Sequence, residues 1–389
     1  MEIYTVGGAV RDELLGLAVK DRDYVVVGAT AEDMVRLGYV PVGKDFPVFL
    51  HPRTHEEYAL ARTERKSARG YRGFTVYSAP DVTLEQDLAR RDLTINAIAR
   101  GADGSLIDPY GGERDLRAGI LRHVSAAFVE DPVRVLRVAR FAARFAQVDF
   151  IVAPETHDLM CRMVADGEID HLVPERVWQE LAKGLLEVDA ARMFLILRDV
   201  GALARVLPEF EDLFTADSQH AYGMLGSHAL TALQRAAQLG ETLEVRFAAM
   251  LARVPAERLP AMCERVRAPT ACRDLALMTA RHREAIEHAQ SSDAQTLLTL
   301  FERTDALRRP ERFDALLRAC GSDRAAWPEH ANQALHPSAQ RLTIALAAAA
   351  ATDAGAAARA AASPAEIPRR VREARIEAVH AALAAQRPA

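Results

Sequence analysis

The first 110 positions of this 389-residue chain contain short runs of β-forming residues separated by turn signals, which predicts a mixed α/β region. From Leu116 onward the strand pattern disappears, and apolar residues recur at helical spacing instead. The pattern predicts an α+β protein, in which a small mixed α/β head is followed by a long all-α remainder. Glycine-containing turns in the head separate short apolar runs of β-formers at 3–6, 24–27, 48–50, 58–60 and 74–77.

Turn residues mark the first expected domain boundary. The sequence DPYGG at 108–112 interrupts the chain sharply, because Pro and Gly terminate regular structure. We therefore predict a head over 1–110, a helical neck and body over 111–215 and a helical tail over 216–389. The end of the tail is rich in alanine, the strongest helix former, which predicts helices rather than a flexible linker.

The composition limits the classes of protein to consider. Half of the residues are hydrophobic and 26% are charged, as in an ordinary globular protein, and the net charge of −5 does not by itself indicate a nucleic-acid partner. Four well-separated cysteines argue against a disulfide scaffold or a Cys-rich zinc module and fit a reducing cytoplasm. The N-terminus lacks a signal-peptide pattern, and the apolar run 342–351 is half of the roughly 20 residues that cross a membrane. We expect a cytoplasmic protein without a membrane partner.

Two acidic residues open the second β-forming run. Side chains at positions i and i+2 of a strand point to the same face, so Asp21 and Asp23 are expected to lie side by side. Their carboxylates repel each other unless a cation lies between them, and Mg²⁺ commonly binds one or two carboxylates together with substrate phosphates. The pair predicts a Mg²⁺ site, and solvated turn residues are the alternative interpretation.

A glycine pair precedes these acids. Gly7 and Gly8 follow the first β-forming run and precede a helical stretch that Gly16 is expected to end. Glycines at such a turn allow the backbone to approach a phosphate, which the helix N-terminus attracts, and Arg11 follows one helical turn later. A tight turn without a ligand is the alternative. The pattern is neither a GxGxxG fingerprint nor a Walker loop, so it supports neither a dinucleotide fold nor a P-loop kinase.

Five motifs in a fixed order carry a family resemblance. The sequence VGGAVRDELLG at 6–16, followed by DRD at 21–23, resembles the signature of the class II tRNA nucleotidyltransferases, which are the CCA-adding enzymes and bacterial poly(A) polymerases of the polymerase-β superfamily. The resemblance covers residues 1 to about 210 and implies a polymerase-β-like sheet in the head. The later motifs are RRDLTINA at 90–97, DPYGG at 108–112 with Asp115 and Leu116 after it, EDPVRVLRVARF at 130–141 and ERVWQEL at 175–181.

The fourth motif also has a physical interpretation. Cytosine and adenine present an exocyclic amino donor beside a ring-nitrogen acceptor, whereas uracil and guanine present a carbonyl and a ring N–H. An acceptor at Asp131 and a donor at Arg134, three residues apart on an expected helix, complement the first two bases. Further arginines continue along about a third of the helix circumference, and a solvated basic face is the alternative. These arginines are Arg137, Arg140 and Arg144.

The resemblance implies roles for individual residues. Asp21 and Asp23 are the implied ligands of two Mg²⁺ ions, and Glu57 is a candidate third carboxylate, with an ordinary surface glutamate as the alternative. The basic stretch 62–72 is expected to be a mobile loop near phosphates or a solvated surface loop. The residues implied to bind ATP or CTP are Gly8, Arg11, Arg91, Asp92, Asp131, Arg134, Arg137 and Arg140.

These residues imply a CCA-adding enzyme, which extends the 3′ end of tRNA with C, C and A from CTP and ATP. The reaction would need no nucleic-acid template and would release pyrophosphate. A poly(A) polymerase, or an enzyme that adds only CC or only A, shares the same motifs. A non-catalytic RNA-binding protein on this fold is an alternative of a different class. The intact Asp21, Asp23, Arg91, Asp131 and Arg134 argue against it.

The tail departs from the pattern of the family. Many bacterial relatives carry an HD phosphohydrolase domain, which uses a separate His, an adjacent His-Asp pair and a later Asp around a metal. His228 resembles the first ligand, but Ala252 and Arg253 stand where the His-Asp pair is expected. The His- and Gly-rich stretch that should follow is also missing. We predict a degenerate HD-like scaffold without phosphohydrolase activity.

Overall fold

The computed structural model describes residues 1–19, 21–42, 47–66, 74–215, 225–332 and 336–385. The chain forms two compact units, Met1–Val206 and Leu207–Ala389. The first unit combines a β-sheet with helices, and the described residues of the second unit form helices joined by turns. This division confirms the predicted α+β class.

The strands of the head, within the described residues, are β1 (Glu2–Val6), β2 (Asp23–Val27), β3 (Val40–Val42), β4 (Val48–Leu50), β5 (Glu57–Leu60), β6 (Thr63–Lys66), β7 (Phe74–Tyr77), β8 (Ala99–Arg100) and β9 (Leu106–Ile107). Seven of them form one sheet in the order β3-β4-β5-β2-β1-β8-β9. β2 and β5 are parallel neighbours, and the other neighbouring pairs are antiparallel. The predicted runs correspond to β1, β2, β4, β5 and β7. The other strands were missed because runs of two to four residues carry little periodicity.

The side chains of β2 alternate between two hydrophobic cores. Val25 faces one core and Val26 faces the other, as the two-residue period of a strand requires. Asp23 shares the face of Val25, and the parallel register places Glu57 of β5 directly beside Asp23. The sheet therefore brings two of the predicted carboxylates together at the beginnings of neighbouring parallel strands.

The remaining elements of the first unit are α1 (Gly8–Leu14), α2 (Ala31–Arg36), α3 (Leu84–Ala89), α4 (Gly112–Ala118), β10 (Ile120–Leu121), α5 (Val133–Arg144), β11 (Ile151–Val152), α6 (Pro154–Ala165), α7 (Pro174–Leu185), α8 (Ala190–Asp199) and α9 (Leu203–Val206). α2 and α3 pack against opposite cores of the sheet. The expectation that strands end before Leu116 is wrong, because β10 and β11 form a short parallel pair on either side of α5.

The basic stretch 62–72 is described only in part. Its residues 63–66 belong to β6, which pairs antiparallel with β7 from Thr63 opposite Tyr77 to Lys66 opposite Phe74. The prediction of a loop is wrong for this segment, because its partner is rich in aromatic and β-branched residues that favour strand pairing. The rest of the stretch, 67–72, lies outside the described residues.

The second unit is helical throughout its described residues. A 3₁₀ turn containing Pro364 separates its last two helices, whereas Pro368 lies in the first turn of the last helix and does not interrupt it. Within the described ranges, no helix has both the length and the apolar character needed to cross a bilayer. The helices are α10 (Pro208–Thr215), α11 (Leu225–Gln238), α12 (Leu243–Leu251), α13 (Leu259–Arg265), α14 (Thr270–Glu287), α15 (Ala294–Arg303), α16 (Pro310–Ala325), α17 (Ala339–Ala351), α18 (Ala354–Arg359) and α19 (Ile367–Ala384).

Candidate active site

A cavity of about 860 Å³ lies in the first unit. It is bordered by the Gly7–Gly8 turn, by the first residue of β2, by the face of α5 that carries arginines and by residues of α7. Asp21 and Glu57 are outside its lining. The predicted site residues that line the cavity are Gly8, Arg11, Asp23, Arg91, Asp92, Asp131, Arg134, Arg137 and Arg140.

The predicted metal ligands Asp21, Asp23 and Glu57 define the acidic side of the site, and of the three only Asp23 lines the cavity. Asp23 and Glu57 are the first residues of β2 and β5, and they are paired in register. Asp21 precedes β2, so its predicted place on the strand is wrong. Desolvation by surrounding protein atoms is the largest effect on Asp23 and raises its pKa, the charge of Arg91 lowers it, and the charge of Asp21 raises it.

The acidic side fits a divalent cation that arrives with a substrate. Among the described residues, no hydrogen bond or ion pair engages the side chains of Asp21, Asp23 and Glu57. Within the same ranges, no three His, Cys, Asp or Glu side chains converge into a complete metal site. Adjacent carboxylates without a protein cation suit Mg²⁺, which takes its remaining ligands from water and substrate phosphates.

The backbone conformation of the turn requires glycine at position 7, where the guanidinium of Arg91 also lies close by. Gly7 has a φ of +69°, which favours glycine, and a Cβ at this position would lie 2.8 Å from Nη1 of Arg91. Gly8 begins α1 and lines the cavity. The turn therefore places the backbone of Gly7 close to the guanidinium of Arg91.

α5 places the predicted row of arginines along one side of the cavity. The helix begins at Val133, and arginines three or four residues apart share a face. Each of three arginines is bonded to an acid from another part of the first unit, so these guanidinium groups are ordered within the protein. The pairs are Arg137 with Asp92 (2.7 Å), Arg140 with Glu180 (2.6 Å) and Arg144 with Asp12 (2.8 Å).

Asp92 links two of the predicted nucleotide-binding arginines. Its carboxylate accepts hydrogen bonds from Asn96 at 2.9 Å and from Arg137 at 2.7 Å, and the Asn96 oxygen accepts one from Arg11 at 2.5 Å. Burial raises the pKa of Asp92, but the charge of Arg137 and these hydrogen bonds outweigh it and hold the pKa well below its ordinary value. Asp92 is therefore ionised at neutral pH and fixes the orientation of both arginines.

The base-selecting motif differs from its predicted geometry. Asp131 has an extended backbone (φ −119°, ψ 99°) ahead of α5, because the residue before a proline avoids the helical region. Both of its carboxylate oxygens accept hydrogen bonds from Arg176 of α7, at 2.9 and 2.7 Å. Arg134 donates to two backbone carbonyls, at 2.7 and 2.5 Å. The expectation of Asp131 and Arg134 side by side on one helix is wrong, although both residues line the cavity.

α7 contributes residues that the sequence motifs did not assign. Lys183 lines the cavity, and its spacing from Arg176 and Glu180 places all three on one face of α7, which was an available signal. Leu186 and Glu187 also line the cavity. They follow the end of the helix, where helical periodicity gives no information.

A second charged cluster lies in the second unit. The buried carboxylate of Asp323 on α16 accepts hydrogen bonds from His228 Nε2 (2.9 Å) and from Nε and Nη2 of Arg253 (3.0 and 2.8 Å). The Arg253 guanidinium and the His228 ring both lie against the ring of Trp327. Burial raises the pKa of Asp323, but the His228 hydrogen bond and the charge of Arg253 outweigh it and lower the pKa. A protein cation thus already neutralises this acid.

The fold and the cavity define a class of protein. Residues 3–122 match the family described as the Poly A polymerase head domain, and residues 149–214 match the probable RNA and SrmB-binding site of polymerase A. The chain shares its fold with the apo form II of a CCA-adding enzyme (TM-score 0.69, 20% identity, 99% of this chain and 92% of that chain). It also resembles the Bacillus stearothermophilus CCA-adding enzyme in complex with CTP (TM-score 0.68, 23% identity, 98% and 88%). The class is that of the polymerase-A-type nucleotidyltransferases.

Two bacterial relatives narrow this class to a family. The multifunctional CCA protein of Dechloromonas aromatica (strain RCB) is 54% identical over 97% of this chain and 97% of its own length. That of Chromobacterium violaceum is 55% identical over 96% and 97%. The chain therefore belongs to the family of the multifunctional CCA proteins, which confirms the resemblance seen in its sequence. The first alignment runs over 404 positions, more than the 389 residues of this chain, so that relative has residues without a counterpart here.

Proposed function

We propose that this chain is a CCA-adding enzyme, which extends the 3′ end of tRNA with C, C and A from CTP and ATP and releases pyrophosphate without a nucleic-acid template. The observation that carries the proposal is the cavity, where Asp23, bonded to no other described side chain, lies with the ordered arginines of α5. Membership of the family supports it. So do relatives of the same fold solved with CTP, with ATP, and with a primer tRNA and an ATP analog.

In this proposal Asp21 and Asp23 would hold Mg²⁺, with two ions expected, and Glu57 is the candidate for a third ligand. When bound, the metal activates the attacking hydroxyl and stabilises the charge that develops on the phosphate. The contribution of the chain is positional: two parallel strands hold Asp23 and Glu57 next to each other. Phosphoryl transfer depends chiefly on such positioning and on electrostatic stabilisation.

The arginines are proposed to bind the triphosphate. Arg11 and Arg91 lie near the glycine turn, and Arg137 and Arg140 lie along α5. Guanidinium groups bind phosphate oxygens through paired hydrogen bonds. Because acids of the protein already order most of these side chains, less conformational entropy is lost when the nucleotide binds.

Asp131 and Arg134 are proposed to select the base, with Arg176 holding Asp131 in place. A carboxylate offers about four acceptor positions, so Asp131 can accept from the exocyclic amino group of cytosine or adenine while it stays bonded to Arg176. The carbonyls of uracil and guanine offer no donor there. The discrimination between the two pairs of bases then depends on the orientation that Arg176 gives to Asp131.

An incorporation assay tests the activity. Purified protein is incubated with Mg²⁺, labelled nucleotides and tRNA that lacks its 3′-terminal CCA, with each nucleotide alone and with CTP and ATP together. We expect two C residues with CTP alone and a single terminal A when both are present. Continued addition of A would identify a poly(A) polymerase, and addition of only CC or only A would identify a partial enzyme. Absence of any incorporation would favour a non-catalytic RNA-binding protein.

We further propose that the second unit has no HD phosphohydrolase activity. The cation of Arg253 is bonded to Asp323, and Ala252 offers no ligand, so the residues present do not fit a metal. The word multifunctional in the names of the relatives is therefore not carried over to this chain. Metal-dependent hydrolysis of 2′,3′-cyclic AMP that survives substitution of both Asp21 and Asp23 would overturn this proposal.

The proposed place of action is the cytoplasm. Free thiols at Cys161, Cys263, Cys272 and Cys320 agree with a reducing compartment, and tRNA is the proposed substrate. For domain organisation we propose the head over 1–110, the neck and body over 111–215 and the tail over 216–389. Along the chain, the boundary between the two compact units lies between Val206 and Leu207.

A further inference from the structure

α3 carries a carboxylate that lies behind the cavity and does not line it. Asp87 has no exposed surface at all. Its Oδ1 accepts hydrogen bonds from Arg90 Nη2 at 2.7 Å and Nε at 3.0 Å, and from the backbone N–H of Arg62 at 3.3 Å. Its Oδ2 accepts one from Arg91 Nη2 at 3.3 Å. One buried acid therefore engages three residues that do line the cavity.

The partners of Asp87 surround the part of the cavity beside the glycine turn. Nη1 of Arg91 lies 2.8 Å from the position that a Cβ on Gly7 would occupy, and Arg91 lines the cavity together with Asp23. The backbone carbonyl of Arg90 accepts a hydrogen bond from Arg134, the proposed base-selecting residue, at 2.5 Å. Arg62 follows β5, which begins with Glu57. Movement of Asp87 would thus disturb the phosphate side and the base side of the site together.

The charge of Asp87 is needed for this arrangement. A buried carboxylate is destabilising unless cations and hydrogen-bond donors compensate it. Burial raises the pKa of Asp87, but the charges of Arg90 and Arg91 outweigh it and hold the pKa below the ordinary value, so the group is ionised. In return, the carboxylate restricts two arginine side chains that otherwise lose much conformational freedom when they bind a ligand.

We propose that Asp87 is a positioning residue for the incoming nucleotide, which acts by orienting Arg91 and Arg90 toward the triphosphate. This inference rests on the proposed function of the same cavity. Asp87 does not touch the nucleotide. Its contribution is expected in nucleotide affinity, because it orders groups that bind the ground state as well as the transition state.

The first test is Asp87→Asn, which keeps the shape of the side chain but removes its charge and one acceptor oxygen. We expect the KM for ATP and CTP and the Kd of ATP without tRNA to rise about tenfold, as when a charge-assisted hydrogen bond that orders a ligand group is lost. The KM for tRNA and the kcat are expected to change less than about threefold, because the substitution affects groups that bind ground state and transition state alike.

A control separates positioning from loss of stability. Glu209 is also buried and accepts two hydrogen bonds from Arg265, but it belongs to the second unit and does not line the cavity. Glu209→Gln is expected to lower the Tm about as much as Asp87→Asn and to leave the nucleotide KM unchanged. In a mutant cycle, Asp87→Asn is expected to add less than about twofold to the KM of the variant in which both Arg90 and Arg91 are replaced by Ala, because residues that act through one another are not additive.

The outcomes separate this inference from the proposed function. An unchanged Kd for ATP in Asp87→Asn, together with a lowered Tm, would make Asp87 a purely structural residue and overturn the inference. If Asp87→Asn does not fold, Asp87→Glu replaces it; the retained charge should then restore folding, and an unchanged nucleotide KM would again overturn the inference. Failure of the wild-type chain to incorporate nucleotides refutes the proposed function, whereas the ATP Kd of the variants still tests Asp87.

Discussion

The two units of this chain each bring acids and arginines together, but they use them in opposite ways. In the first unit, arginines of the cavity are bonded to acids of the same unit, and Asp23 is left without a hydrogen-bond or ion-pair partner among the described residues. In the second unit Asp323 itself is bonded to Arg253 and His228. A carboxylate can bind a ligand cation only where the protein does not supply the cation. The placement of arginine therefore decides which of the two sites is available.

The largest expected effect is at Asp23, and it tests whether this carboxylate binds a ligand cation. Asp23→Asn is expected to lower the rate of nucleotide incorporation about 10³-fold or more, because a metal ligand supports several kcal/mol of transition-state stabilisation. The Tm should not fall, since no hydrogen bond or ion pair to another described side chain is lost. Single-turnover rates and thermal melts measure both. A rate within tenfold of the wild type would remove Asp23 from the chemistry.

The next prediction tests whether Arg253 neutralises the buried carboxylate of Asp323 in the second unit. Arg253→Met keeps the length of the side chain but leaves Asp323 buried without its cation, so the free energy of unfolding should fall by about 3–5 kcal/mol. Urea denaturation measures it. The double substitution Arg253→Met with Asp323→Leu should recover most of the loss, because no isolated charge remains. A single variant as stable as the wild type would show that Arg253 does not neutralise Asp323.

The pH dependence of this loss has a definite sign. The pKa of Asp323 in the folded protein lies below the ordinary value of an aspartate, so its ion pair stabilises the protein above the pKa of an unfolded aspartate, about 4, and the contribution disappears as the pH falls through the folded-state pKa. The stability difference between the wild type and Arg253→Met should therefore be largest near neutral pH and become smaller in acidic solution, because the uncompensated Asp323 of the variant takes up a proton at a higher pH than that of the wild type.

An intermediate effect tests the paired acid of the first unit. Asp131→Ala is expected to reduce the preference for CTP over UTP, measured as a ratio of kcat/KM, by about 10–100-fold, since a bidentate contact to a base contributes about 1–3 kcal/mol of discrimination. Arg176→Lys keeps the charge but loses the paired geometry and should give a smaller reduction in the same ratio. An unchanged ratio in both variants would mean that base selection lies elsewhere in the cavity.

The smallest expected effect is on folding without metal. A chelator should abolish incorporation, and added Mg²⁺ should restore it. The Tm should change by less than about 1 °C, because about 1 kcal/mol of metal-dependent stability would shift it by several degrees. Scanning calorimetry with and without chelator measures this. A Tm lower by several degrees with chelator would indicate a structural metal, and it would contradict the inference that Arg253 occupies the place of a metal at Asp323.

Local sequence patterns predicted which residues line the cavity better than they predicted which side chains pair with each other. The glycine pair, Asp23 and the arginine row of α5 are each defined by neighbours within one turn or one strand, and the structure brings them to one cavity. The Arg176–Asp131 pair joins residues 45 positions apart, and the Arg253–Asp323 pair joins residues 70 apart. Such pairs depend on how helices pack, which one sequence does not encode in any periodic form.

Asp87 illustrates the limit of local patterns. Its spacing of three and four residues from Arg90 and Arg91 is a recognisable helical ion-pair pattern. The same spacing is common on exposed helices, where it contributes little. Only its complete burial shows that Asp87 orients groups of the cavity.

The short parallel pair β10–β11 ties together the chain on either side of α5, the helix that carries the arginine row. Backbone hydrogen bonds from Ile151 to Gly119 (2.8 Å) and from Ala153 to Leu121 (3.0 Å) tie together the two ends of the segment that contains α5. The start and the end of this segment are therefore held together independently of any side chain of α5. Hydrogen exchange at the backbone N–H groups of Ile151 and Ala153 should stay slow throughout the reaction, because opening either bond separates the two strands.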